Sequence, residues 1–197
     1  MNNGQSAEID WSERFPVSFF INDPLVVARE LLGAILVYVN DSGLRVAGRI
    51  VETEAYRGED DQACHARFGK TKRTSTMYGP PGHAYVYLIY GIHHMLNVVT
   101  WPEDYPAAVL IRGVEPLFGV DLSTDGPGKL CRAFGITRQL NGADLCGDNI
   151  FIMPRRKIAE CDIATGPRIG VDYAGEWANR PWRFALRGNR YVSRPRI

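Results

Sequence analysis

The run RIVETEAY, residues 49–56, places two carboxylates and a phenol at alternate positions: Glu52, Glu54 and Tyr56. In a strand, alternate side chains share a face, so Ile50, Glu52, Glu54 and Tyr56 lie on one side and Val51, Thr53 and Ala55 on the other. Such a face is either solvated or the floor of a cleft where a carboxylate stands beside an aromatic plane. Only the cleft does chemistry, because a positioned carboxylate can take a proton from water or steady a developing cation. The chain contains no G-x-S-x-G elbow and no evident nucleophilic Ser or Cys. A carboxylate is therefore the candidate for a chemical step.

HAYVYLIYG, residues 83–91, supplies flat faces. Tyr85 and Tyr87 share one strand face, while Tyr90 has the other parity and stands just before Gly91, where the strand should turn. Any single tyrosine is at home in a sheet. The cluster asks for more, since each buried hydroxyl needs a partner. A flat ligand held against rings, with one ring projecting from the sheet end, would explain all of them. Nucleobases are such ligands, and stacking is worth about 1–3 kcal/mol per base.

Cations gather in the loop that precedes this strand. Arg67, Lys70, Lys72 and Arg73 are interleaved with Thr71, Thr74 and Ser75. This is either a solvated loop or a set of phosphate contacts. GPGKL, with Lys129 beside a helix start, offers a second anion site but lacks the full Walker spacing. His65, His83, His93 and His94 match no metal-ligand pattern, and no C-x-x-C occurs among Cys64, Cys131, Cys146 and Cys161. A metal site is not expected. The cysteines read as reduced thiols in buried structural positions.

The elements that must position these groups follow from the whole chain. Its 197 residues suggest one domain, burying roughly 70% of the surface of the unfolded chain. The composition, 45% hydrophobic and 23% charged, is that of a folded globular protein. A net charge of +1 excludes a globally basic nucleic-acid binder, so any polyanion site must be local. The N-terminus has acids and no apolar h-region, so no secretory signal is expected. The apolar run near LLGAILVYV falls far short of the roughly 20 residues of a bilayer span.

Residues 1–22 read as an N-terminal arm, flexible in part, and 23–197 as the single domain. Asp23 and Pro24 predict a helix start and Gly33 its end. AILVYV, LRVAGRIVETEAY, HAYVYLIYG, MLNVVTW and PAAVLIRGVEP read as strands, with a turn at NDSG and a short helix over Asp61–Ala66. GPGKLCRAFG predicts a helix between Pro127 and Gly135, and NIFIM, KIAECDIATG and PWRFALRG further strands. Strands in series with few helices between them predict an α+β domain around a curved, mostly antiparallel sheet flanked by short helices.

Taken together, the segments RELLG, GRIVETEAYRGEDDQACHA, MYGPPGHAYVYLIYGIHHMLNVV, AVLIRGVEPL, GPGKLCRAFGI and GPRIGVDYAGEWANRPWRFALRG resemble the alkyladenine (3-methyladenine) DNA glycosylase family over most of residues 28–190. The resemblance implies a monofunctional enzyme of base excision repair that needs no metal or cofactor. Such an enzyme flips a damaged purine from double-stranded DNA and hydrolyses its N-glycosidic bond. It further implies a monomer without membrane association, cytoplasmic (nucleoid-associated) in a bacterium or nuclear in a eukaryote.

Carried over by position, Glu54 matches the general base and Arg112 the arginine that holds it and the water. Tyr56, His65 and Tyr87 match the residues that line and stack on the flipped base, and Tyr85 a supporting ring. Asn97 matches the residue that crowds the purine 2-amino group, and Tyr90 the ring that fills the vacated stack. Arg67, Lys70, Lys72, Arg73 and Lys129 are the expected backbone contacts. No motif covers the arm ahead of residue 20 or the tail after 190. Two other readings, a non-enzymatic nucleic-acid binder and a metal-dependent hydrolase using His65 and His83, leave Glu54 or the histidine spacing unexplained.

Overall fold

The computed structural model describes residues 10–197. The expected arm therefore lies partly outside the described residues. Its remainder is not an arm: Phe15 stacks on Phe19 and both meet Phe20 edge-on, α1 (Val17–Phe20) forms there, and Phe20 is wholly buried in the main core. Three phenylalanines in six residues gain more from burial than they lose by being ordered.

Asp23 caps α2 (Pro24–Glu30), its carboxylate accepting from the Leu25 N–H, with Pro24 in the first turn. The chain then reverses at Gly33, whose φ of +86° suits glycine. A side chain there would also strike Ile158. β1 (Ile35–Val39) and β2 (Arg45–Arg57) pair antiparallel through the NDSG turn. β3 (Ala84–Ile89), β4 (His93–Val99) and β5 (Ala107–Phe118) form a meander that returns to β2. α3 (Pro127–Phe134) ends at Gly135 with left-handed backbone. β6 (Ile150–Met153) closes one edge on β1. β7 (Ile163–Gly166) pairs with β8 (Arg183–Leu186), and β8 joins β2.

The result is an eight-stranded antiparallel sheet in a single α+β domain, with the path β3-β4-β5-β2-β1-β6. β1 pairs with β2 as far as Arg49, and β8 takes over that side of β2 at Glu52–Glu54. At the two carboxylates β2 therefore has a neighbour on each side, β5 and β8.

Two further expectations, both about β2 and the loop after it, need correction. Ile50 does not share the carboxylate face; it joins Val51 in the main core. The register of β2 against β5 shifts between Ile50 and Glu52 and again before Thr53, and a bulge there breaks the strict two-residue alternation. The segment Asp61–Ala66 is not a helix; only a 3-10 turn forms, over His65–Phe68. Asp61 is engaged instead by the backbone N–H groups of Arg57 and Ala63 and by Arg168, which fixes a loop.

Candidate active site

Antiparallel register builds the site. Tyr85 on β3 faces Asn97 on β4, Asn97 faces Leu110 on β5, Leu110 faces Glu54 on β2, and Glu54 faces Arg183 on β8. Directly opposed residues point to the same side of a sheet. One row across five strands therefore puts a tyrosine, an amide, a carboxylate and a guanidinium on one face. Tyr87, Met95, Arg112 and Tyr56 share that face by two-residue steps. The other face carries Val86, Val98, Val109, Ile111 and Ala55 into the main core. Thr53, also on that side, is secured to α2 by donation to the Ala28 carbonyl at 2.8 Å.

Above the site face lies a cavity of about 400 Å³. Tyr56, His65, Tyr85, Tyr87, Asn97 and Arg112 all line it, and Tyr90 stands at its wall from the β3–β4 turn. Loop residues Met77, Ile169, Val171 and Tyr173 complete it. Its size falls in the range of small-molecule sites. The His65 ring meets Tyr87 edge-on at 4.5 Å between centroids, and Tyr85 lies tilted to Tyr87 at 5.3 Å. Asn97 is immobilised by donation to the Tyr85 carbonyl at 3.0 Å. Tyr90 is 87% exposed, with φ of +53° ahead of Gly91 at +74°. The Tyr90 ring accordingly stands in solvent at the tip of the hairpin.

Glu54 is wholly buried and lies directly beneath the lining. Oε1 accepts from the Ile169 N–H at 2.7 Å. Oε2 accepts from the Tyr56 hydroxyl at 2.8 Å and pairs with Arg112 Nη1 at 3.3 Å. All three partners belong to residues that line the cavity. A carboxylate has about four lone-pair sites, so one acceptor site remains.

Burial, then the charge of Glu54, pushes the Tyr56 hydroxyl well above its usual range, and it stays a donor. Burial also raises Tyr85 to about 12 and Tyr87 further. Burial opposes charge on Arg112, but Glu54 and Glu52 outweigh it and hold the guanidinium above its ordinary value. His65 is lowered to about 4 by burial and by Arg73 and Arg67, so it is neutral at pH 7.

The expected backbone contacts separate. The Arg73 guanidinium lies 5.2 Å from the centre of the Tyr87 ring, and Arg67 covers Phe68 and Tyr173, so both flank the cavity. Lys72 is exposed. Lys70 leans towards Asp104 at 3.9 Å and Lys129 pairs with Asp125 at 3.0 Å. His83 contacts the Pro81 carbonyl, away from this cavity. Among the described residues no three His, Cys, Asp or Glu side chains cluster as a metal would need, and no helix is long and apolar enough to cross a membrane. Cys64 and Cys131 are buried, with thiols raised by burial to about 12, but Cys161 is exposed, against expectation.

Sequence reasoning missed several supporting groups. Arg168 is a buried fork on Asp61, at 2.6 and 2.9 Å, and also donates to the Ala55 carbonyl. It lies over the Tyr56 ring and so braces it from behind. The Ile169 donor is a backbone group, which no residue type advertises.

The concave face of a curled antiparallel sheet thus joins a buried carboxylate and guanidinium to an aromatic slot. The chain belongs to the methylpurine-DNA glycosylase (MPG) family, whose model matches residues 18–190. It is accordingly a DNA glycosylase in class, with DNA as substrate. A protein of Anaeromyxobacter dehalogenans (strain 2CP-1 / ATCC BAA-258) is 56% identical over 183 residues, covering 92% of this chain and 86% of its own. One from Myxococcus xanthus (strain DK1622) is 54% identical over 181 residues, covering 91% and 93%. One from Methanocella arvoryzae is 50% identical over 196 residues, covering 91% and 95%. Each bears the name "Putative 3-methyladenine DNA glycosylase".

Proposed function

We propose that the protein extrudes an alkylated purine such as 3-methyladenine from duplex DNA into this cavity and hydrolyses its N-glycosidic bond with water activated by Glu54. The observation that carries the reading is the Glu54 carboxylate, held by two hydrogen bonds and an ion pair immediately under an aromatic cavity with room for a base. A simple binder of nucleic acid gains nothing from a wholly buried carboxylate at that place.

Rotating a nucleotide out costs a few kcal/mol, least where pairing is already damaged. The exposed Tyr90 ring offsets part of this by entering the stack, and Tyr56, Tyr87 and His65 receive the base. An N-alkylated purine carries positive charge, which electron-rich rings attract, and neutral His65 does not repel it. The charged base is also a ready leaving group.

As the C1′–N bond breaks, its electron pair goes to the base and the sugar becomes oxocarbenium-like. The water oxygen bonds to C1′ while its proton passes to the open site of Glu54. Arg112 and the Ile169 N–H keep the carboxylate aimed. Free base and an abasic site result. The proposed reaction is hydrolysis alone, without a Schiff base or strand cleavage, a reading supported by a cavity lining without lysine among the described residues.

Glu54→Gln tests the proposal. Affinity for a damaged duplex should persist while single-turnover excision falls about 10²–10⁴-fold. Excision at the unaltered rate would remove Glu54 from the chemistry.

A further inference from the structure

Glu52 is as buried as Glu54, yet the chemistry above makes no use of it. A buried carboxylate is costly unless fully paired. Its partners are specific: the Ser193 N–H at 2.7 Å, the Ser193 hydroxyl at 2.8 Å, Arg112 Nε at 3.3 Å and Arg183 Nη1 at 3.5 Å. Arg112 in turn spends each of its three nitrogens differently. Nε meets Glu52, Nη2 donates to Ser193 Oγ at 3.2 Å, and Nη1 meets Glu54. A guanidinium is a rigid plane, so fixing Nε and Nη2 fixes the direction in which Nη1 points.

Ser193 belongs to the C-terminal segment, beyond residue 190 where the family match ends. That segment is closely fitted. Val192 is buried in the main core, and Arg183 Nη2 donates to the Pro195 carbonyl at 2.9 Å. Gly113, next to Arg112, leaves room for the strap: a Cβ there would stand 2.6 Å from the Tyr191 carbonyl oxygen. Charge balance points the same way. Glu52 and Glu54 together face Arg112 and Arg183; without Glu52, Glu54 alone would answer two cations and be clamped rather than open to water.

We infer that the C-terminal strap is part of the active-site machinery, with Ser193 and Glu52 as positioning residues that aim Arg112 at Glu54. The inference rests on the proposed role of Glu54, and it differs from a purely structural role in what it does to rate and affinity. In the full-length protein, Ser193→Ala should lower single-turnover excision of 3-methyladenine from a duplex about 10- to 100-fold, with duplex Kd changed less than about twofold. Ser193→Thr, which keeps the hydroxyl, should recover most of the rate. Gly113→Ala displaces the strap without removing any charge, and should mimic Ser193→Ala. Wild-type rates in both Ser193→Ala and Gly113→Ala would overturn the inference, as would rate losses matched by equal losses of duplex affinity. Glu54→Gln run in parallel separates the two claims. An inactive Glu54→Gln beside fully active strap variants sinks only the strap, whereas an active Glu54→Gln sinks the reading beneath it.

Discussion

His65 shows how one residue serves both binding and stability. Its imidazole is lowered to about 4 by burial first and by Arg73 and Arg67 next, with Tyr85 Oη 3.1 Å from Nδ1. The sign follows from comparing states. The unfolded chain takes up this proton near pH 6.5, the folded one only near 4, so the unfolded state binds more protons between those values. The stabilisation is complete above about pH 6.5 and is lost as the pH falls towards 4, amounting to about 2–3 kcal/mol. Urea titrations at pH 7 and pH 4.5 should therefore show a smaller acid loss for His65→Gln than for the wild type. Equal losses in the two proteins would show that His65 is not the group responsible.

At the scale of elements, the β3–β4 hairpin sets its tip in advance. Tyr90 already occupies a left-handed backbone conformation, which costs a non-glycine residue about 1 kcal/mol or more. The ring is thus held out before any duplex arrives. Tyr90→Ser should weaken capture of the extruded state, read with a fluorescent base analogue, while leaving the fold intact; an unchanged flipping equilibrium would count against a wedge. Much of this was legible in the sequence. Two-residue spacing placed Glu52, Glu54 and Tyr56 together and paired Tyr85 with Tyr87, and Gly91 announced the turn. What was hidden had physical causes. A bulge in β2 carried Ile50 to the core, and Arg168 ties Asp61 into a loop across 107 residues. The Glu52–Ser193 contact spans 141 residues, and the Ile169 donor is main chain. Spacing rules see only near neighbours and side-chain types.

For the whole molecule, a net charge of +1 means that attraction to DNA must come from one face. Of the five expected phosphate contacts, Lys129 and Lys70 face their own carboxylates, leaving Arg67, Lys72 and Arg73 beside the cavity or in solvent. Duplex affinity should accordingly fall with salt on a log–log slope of about −3. A slope two or three times steeper would mean that a wider cationic surface is engaged. The middle of the sheet bears on a different kind of change. Where Glu52 and Glu54 stand, β2 is hydrogen-bonded to β5 on one flank and β8 on the other, so no small fluctuation can swing either acid outward. The part of the roof built around His65 and Met77 supplies no donor to either acid and is free to be reshaped. New tastes in bases can be acquired up there while the acids below keep their aim.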